Sequence, residues 1–393
     1  VYLVIRQVAR RRLPALLAAI ALGVSPVFWS QSVVAEVYTL NAAFVAAVLL
    51  LALRWARQPL APVRPFSLLL VPPREVRASL LNGEGAWTRV PPSVRRVIHA
   101  VSAFYRRTFP RVPPSRRLQL HPSIYGVVAV YGLSLTHHRL MLLLLPALLI
   151  FVLLVERRAF SRAALLGPGH PDRPRWLQII GRPGVGLALC LFGPLLLYLY
   201  LPLRGQIGSL DGTYANTWGG FWGWVTTGGY GAFLGDNPLA RDLDAVFYGR
   251  LFWQQFGPVG LALSLVGFIA LARRPKVLAL TGAAFVTYVA FAVSYRVPDV
   301  EVFFLPAFLL VAVWIGVGLD HAAGLLQPRG RSLALRRVLA ACGLLLFVAA
   351  TLQPLLVAAR HYPDLDRSQQ WTVHDYGLYE LDQPLPALSL IHI

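Results

Sequence analysis

Charge is what this sequence has least of. Only 14% of its 393 residues are Asp, Glu, Lys or Arg, whereas soluble domains carry about a quarter. An ordinary water-soluble fold is excluded by that shortage alone. Lysine is almost missing: Lys276 stands alone among 37 basic residues, a skew that reads as high-GC coding rather than a demand for guanidinium. Cysteine is nearly as scarce. Cys190 and Cys342 both fall in apolar runs, so neither a disulfide framework nor a metal centre is expected, and both read as buried apolar thiols. There is no signal-peptide pattern, no initiator at Val1 and no visible internal repeat.

Apolar residues fill the space that charge leaves. They make up 56% of the chain, and several runs approach the roughly 17–25 residues that cross a hydrocarbon core as helix. The fold class is therefore all-α, a polytopic transmembrane helical bundle of about nine spans: 13–29, 38–56, 123–138, 140–155, 184–203, 257–272, 278–295, 303–320 and 335–357. Continuous apolar runs favour helices over barrel strands, which alternate. A net charge of +20 suggests nucleic acid, but the arginines cluster in alternate loops (54–117, 156–182, 273–276 and 329–337). That is the positive-inside pattern, for which anionic headgroups are sufficient counterions. No aromatic–basic platform for single strands occurs, so the lipid bilayer is the expected partner and nucleic acid is not.

Five regions follow. Residues 1–56 form a first helix pair around a polar external turn. Residues 57–122 are an Arg/Pro-rich cytoplasmic loop, read as a surface-associated or disordered insertion or a local frameshift. Residues 123–357 hold the remaining helices and an external Gly/Trp-rich loop, 204–256. Residues 358–387 begin an extracytoplasmic soluble region. Residues 388–393, Leu388-Ser-Leu-Ile-His-Ile393, match the translation of CTGTCTCTTATACACATC, a transposon end used in sequencing-library preparation, and are expected to be non-biological.

The external side collects the chemistry. Ser25-Pro-Val-Phe-Trp-Ser-Gln-Ser-Val-Val-Ala-Glu-Val-Tyr-Thr-Leu-Asn41 carries a carboxylate (Glu36), two amides (Gln31, Asn41) and the rings of Trp29 and Tyr38. His137 and His138 sit in a short connector, where one imidazole bonding to backbone is the plain alternative to ligand binding. Adjacent histidines make a poor metal pair, since helix pairs prefer i, i+4. Asp211 and Trp218 open the Gly/Trp-rich loop, which suits either headgroup depth or stacking on a sugar. Tyr295, Arg296, Asp299 and Glu301 flank Pro298, and Arg296 can pair with either carboxylate. Ionisable groups near membrane depth are costly and mark functional sites by default. A partly buried carboxylate there has a raised pKa and suits a general base.

These motifs carry a family resemblance. The Ser25–Asn41 stretch resembles the signature of domain-of-unknown-function family 2723, bacterial relatives of a eukaryotic multi-span protein O-mannosyltransferase. Gly132-Leu-Ser-Leu-Thr-His-His-Arg139 resembles its second motif. Tyr295-Arg-Val-Pro-Asp-Val-Glu-Val-Phe-Phe-Leu-Pro306 and Trp314-Ile-Gly-Val-Gly-Leu319 resemble its third. The resemblance implies a GT-C-like membrane glycosyltransferase (a hexosyltransferase) of the bacterial inner membrane, with its active face extracytoplasmic. It would transfer a mannose-like sugar from a polyprenyl-phosphate donor to a protein or glycan acceptor. No cofactor is required, and no ligand set indicates a divalent metal. Glu36, Asp299 and Glu301 are the catalytic-site candidates. Trp29, Gln31, Tyr38, Asn41, His137, His138, Asp211, Trp218, Tyr295 and Arg296 are the substrate-binding candidates, with Arg296 and the histidines assigned to the phosphate. The family's Asp/Gly/Glu motif and His-Pro-Pro-Gly-Tyr-Pro run do not occur here, so the base is expected upstream of Val1 and this fragment on its own is expected to be inactive. The rival readings are a transporter or lipid flippase, which favours charged midplane helices and a repeat, and a scaffold presenting the tail of Asp364, Asp366, His374 and Asp375.

Overall fold

The computed structural model describes residues 1–34, 36–57, 123–155, 175–208, 214–226, 228, 243–295, 297–326, 332–369 and isolated positions between 371 and 379. Among these there is no strand. The helices are α1 (Tyr2–Val8), α2 (Arg12–Gly23), α3 (Pro26–Ser32), α4 (Tyr38–Trp55), α5 (Ser123–His137), α6 (Leu145–Val155), α7 (Arg175–Phe192), α8 (Tyr200–Arg204), α9 (Trp218–Thr226), α10 (Ala245–Ala270), α11 (Pro275–Ser294), α12 (Leu305–Leu325) and α13 (Leu333–Leu365). Short 3-10 turns precede α6, α8 and α12 at Arg139–Leu144, Pro194–Leu199 and Val300–Phe304.

Among the described residues six helical stretches are long and apolar enough to cross a membrane: Tyr38–Trp55, Gly184–Ile207, Ala245–Arg273, Pro275–Ser294, Val300–Gly324 and Leu333–Leu365. Helix occupies each of the nine expected spans, and the structure adds detail to three of them. The first breaks into α2 and α3, bent by 70°. Pro26 confines Ser25 to extended backbone (φ −66°, ψ 136°), which ends one helix and starts the next. The third and fourth expected spans are short, at Ser123–His137 and Arg139–Val155. Nor is 204–256 a loop throughout, because α9 lies within it and α10 starts at Ala245, where the Asp244 carboxylate accepts from Phe247 N at 2.8 Å. The region expected to be soluble from 358 onward begins as helix, since α13 runs on to Leu365. The loop at 57–122, apart from Arg57, lies outside the described residues, as does 388–393.

The chain divides into two compact units. The first comprises Val1–Ala47, His137–Leu148 and Leu196–Ile393. Its centre is the Val300–Gly324 stretch, 94% buried and packed against α1, α2, α10, α11 and α13. Lipid supplies no hydrophobic drive between helices, so close backbone approach matters more than in water. Gly267 of α10 and Gly318 of α12 provide it: a Cβ at Gly267 would strike the Trp314 carbonyl oxygen, and one at Gly318 the Leu263 carbonyl oxygen. Polar groups fasten the same helices. Trp314 Nε1 donates to Thr281 Oγ1 at 3.1 Å in the buried interior, and Thr287 Oγ1 donates to Leu143 O at 2.7 Å.

Two breaks are stitched by distant side chains. Inside α10, Gly257 adopts φ +56° ahead of Pro258, a left-handed conformation that favours glycine. The Gln353 Oε1 of α13 accepts from Val259 N there at 3.0 Å. Between α1 and α2, the Asp320 carboxylate of α12 accepts from Arg10 N and Arg11 N, both at 3.0 Å.

The second unit comprises Val48–Thr136 and Leu149–Leu195. Trp55 meets Phe151 edge-on at 6.2 Å. A Cβ at Gly132 of α5 would strike the Leu191 carbonyl oxygen of α7. Cys190 is half-buried, and in the first unit Cys342 is exposed. The expectation of buried thiols is corrected for Cys342, which lies on α13 amid outward-facing Leu344, Leu345 and Val348. Such an apolar outer surface is stable against acyl chains, not against water.

Candidate functional site

The polar stretch between α2 and α4 is mostly helical. Residues 26–32 form α3, and Tyr38 to Asn41 are the first turn of α4. Pro26 occupies the opening position of α3, where its missing N–H is harmless. Ser25 makes no side-chain cap there. Instead Gln255 of α10, 2% exposed, accepts from Val27 N at 3.0 Å. Trp29 meets Tyr362 of α13 edge-on at 6.1 Å.

Around Tyr38 three distant segments meet. Its ring lies 5.6 Å from that of His138 and 5.6 Å from that of Phe303. Tyr295 packs on Phe303 at 4.8 Å and stacks on Phe291 at 5.0 Å. Six residues further along α4, Phe44 lies 5.6 Å from His137. The structure thus gathers Tyr38, His137, His138, Tyr295 and Phe303 into one aromatic–imidazole cluster. Phe303 and Phe44 were not singled out in the sequence, because apolar rings in apolar runs carry no signal of their own.

Both imidazoles are engaged with backbone. His137 Nε2 lies 3.0 Å from Val37 O. His138 Nδ1 accepts from Leu140 N at 3.1 Å, capping the 3-10 turn that follows. A ring nitrogen that accepts from an amide carries no proton, so the His138 hydrogen sits on Nε2. Burial, with the charges of His137 and Arg139 adding, pushes its pKa down to about 4. His138 is therefore neutral at physiological pH, which weakens its assignment as a cation facing phosphate. Arg139 is spent elsewhere, donating to Trp224 O at 2.8 Å and to Val225 O at 3.2 Å at the end of α9.

The carboxylates flank the cluster residues in sequence. Glu36 and Asp299 are exposed and Glu301 is half-buried. No hydrogen bond or ion pair among the described residues joins the three to one another. Trp218 is 76% exposed on α9, stacked on Phe221 and edge-on to Trp222. Asp211 and Arg296 lie outside the described residues. Among the described residues no group of three His, Cys, Asp or Glu could hold a metal ion. A small apolar cleft beside the α10 kink, bordered by Leu17, Gln255, Phe256, Ile315 and Gln353, shares no residue with the cluster.

Sequence reasoning missed Asp320, Gln255 and Gln353. Each is a polar residue inside an apolar run, which is the signal that could have found them.

The fold and this cluster define a polytopic helical membrane protein with a motif-built polar end. Residues 5–71 match the family model described as the Protein O-mannosyl-transferase TMEM260 N-terminal domain. The match covers α1 to α4 and supports an O-mannosyltransferase-like relationship, with glycosyltransferase-like function in general. No curated protein and no solved structure matches the chain.

Proposed function

We propose that the protein is a GT-C-type membrane glycosyltransferase that moves a mannose-like sugar from a polyprenyl-phosphate donor to an extracytoplasmic protein or glycan acceptor. One observation carries the reading. Tyr38, His138, Tyr295 and Phe303, drawn from three separate motifs, meet in a chain whose first helices match an O-mannosyltransferase family model.

The reaction is a displacement at the anomeric carbon. The acceptor oxygen forms the new C–O bond, and the bond to the lipid phosphate breaks with its electron pair leaving on phosphate. The acceptor proton passes to a carboxylate. Glu36, Asp299 and Glu301 are the described carboxylates nearest the cluster in sequence, and they orient acceptor or sugar hydroxyls. Arg296 is the cation assigned to the leaving phosphate. His138, being neutral, contributes an Nε2–H donor rather than charge. The opposite ends of α2 and α12, where Arg10 and Arg11 meet Asp320, suit the side that retains positive charge.

The test is transfer of radiolabel from mannosyl-phosphoryl-polyprenol to protein or glycan in proteoliposomes holding the intact protein. Glu36→Gln and Asp299→Asn are each expected to lower transfer at least tenfold with insertion unchanged. Wild-type transfer in both variants would assign those carboxylates to structure. Passage of the labelled lipid across the bilayer with its sugar still attached would replace the enzyme by a flippase.

A further inference from the structure

Asn41 is 1% exposed, and its Oδ1 is buried with no hydrogen-bond partner among the described residues. A buried amide oxygen without a donor is unfavourable, and native structures leave few of them. Asn41 lies in the first turn of a helix long and apolar enough to cross a membrane, and its burial leaves it no solvent contact to compensate. Gln31 Oε1, in the same polar stretch, is also buried with no partner among the described residues.

The position of Asn41 gives this orphan a context. Tyr38, Asn41 and Phe44 succeed one another at three-residue steps, so they lie on one side of α4. Tyr38 packs on His138 and Phe44 on His137, each with ring centres 5.6 Å apart. Asn41 therefore occupies the stripe between the two residues that touch the paired imidazoles. His138 has its Nδ1 occupied by Leu140 N, and its Nε2–H makes no hydrogen bond among the described residues. Among the described residues, an acceptor lacking a donor thus sits on the α4 face that packs on the imidazoles, one of which keeps a donor lacking an acceptor.

That combination selects a ligand class. A phosphodiester, the group of a polyprenyl-phosphate sugar, only accepts, so it would satisfy the imidazole and set its charge against the Asn41 carbonyl oxygen. A hydrocarbon would satisfy neither. A neutral hydroxyl both donates and accepts, and neighbouring hydroxyls of a sugar serve both groups at once. We infer that Asn41 is a sugar-recognition residue whose Oδ1 accepts from a ligand hydroxyl, with His138 Nε2–H donating to a neighbouring sugar oxygen. This deepens the glycosyltransferase reading, on which it rests, by naming which part of the donor or acceptor the Tyr38–Phe44 face holds.

The experiment uses the purified intact protein and a panel of methyl α-glycosides of mannose, glucose and galactose, with dimethyl phosphate as the contrasting, acceptor-only phosphate probe. Asn41→Leu is expected to raise the apparent Tm of the ligand-free protein by about 1–3 °C, because an apolar side chain removes the orphan. It should weaken binding of the preferred glycoside about tenfold or more, since a polar site loses its partner. His138→Asn, which keeps an acceptor for Leu140 N, should weaken the same glycoside without lowering Tm at pH 7.5.

A fall in Tm for Asn41→Leu together with unchanged binding in Asn41→Ala would make the amide structural and overturn the inference. Protection of the wild type by dimethyl phosphate but by no glycoside would overturn the ligand class. If Asn41→Leu does not fold, Asn41→Ala decides through binding alone. Failure of sugar transfer in proteoliposomes leaves these binding and stability readings intact, so the two claims fail separately.

Discussion

Asp320 offers the most direct test of how the first unit is held together. It is 8% exposed, and its carboxylate accepts from Arg10 N and Arg11 N at 3.0 Å each, with Arg11 Nη1 at 3.3 Å. The two amides belong to the break between α1 and α2, where no helical carbonyl is available to them. Hydrogen bonds to a charged group contribute about 1.5–3 kcal/mol each. The Arg11 side chain is 46% exposed, so its ion-pair share falls to about 1 kcal/mol or less. Asp320→Ala should therefore cost about 3–5 kcal/mol, nearly all of it from the two orphaned amides. Asp320→Asn keeps one acceptor oxygen but turns an N–H₂ toward an amide, and should cost about half as much. Arg11→Ala, which leaves both backbone bonds in place, should cost about 1 kcal/mol. Apparent Tm of the purified protein in one detergent ranks the three. Hydrogen exchange over residues 8–13 should rise in the Asp320 variants alone. Equal losses for Arg11→Ala and Asp320→Ala would place the stabilisation in the ion pair and refute the backbone-anchor account.

Two further outcomes are expected. Gly267→Ala and Gly318→Ala each force a methyl onto a facing carbonyl that cannot rotate away, and each should cost about 1–3 kcal/mol. Gly324→Ala, with nothing within 4 Å of its Cβ, should be neutral in the same thermal assay. His138 should give the fold a pH slope. Its pKa is lowered from 6.5 to about 4, so between those values the unfolded chain takes up a proton that the folded one does not. Stability should hold above pH 6.5, fall by at most about 3 kcal/mol as pH drops toward 4, and then level off. His138→Asn should abolish that increment, and a wild-type slope in the variant would remove His138 as its source.

Hydropathy made most of the helices legible, and its failures have identifiable causes. A window average cannot see the break at Ser25, although Pro26 announces it through the restriction it places on the residue before. The early start of α10 was hidden because Arg250, Gln254 and Gln255 dilute its first turns. Asp244, a cap residue three positions before the amide it accepts from, was the better signal. Helix contacts through Gly267 and Gly318 were not legible, since a glycine in an apolar run reads alike whether it faces lipid or a neighbouring backbone.

The candidate site was legible by type and not by arrangement. Tyr38, His138 and Tyr295 stand out as polar-tipped rings at helix ends, yet nothing in their spacing says that Phe303 joins them. The histidines read as phosphate-facing candidates or as backbone-bonded connectors, and only the bond from Leu140 N to Nδ1 makes one of them a neutral donor. The same reasoning separates the ends of α12. Its 3-10 start bears Phe303 and Phe304 against aromatic partners, while Asp320 near its end grips two backbone amides. At that end both carboxylate oxygens of Asp320 are engaged by amides. At the other, Asn41 Oδ1 is buried with no hydrogen-bond partner among the described residues, and such a group calls for an explanation that fold packing alone does not give.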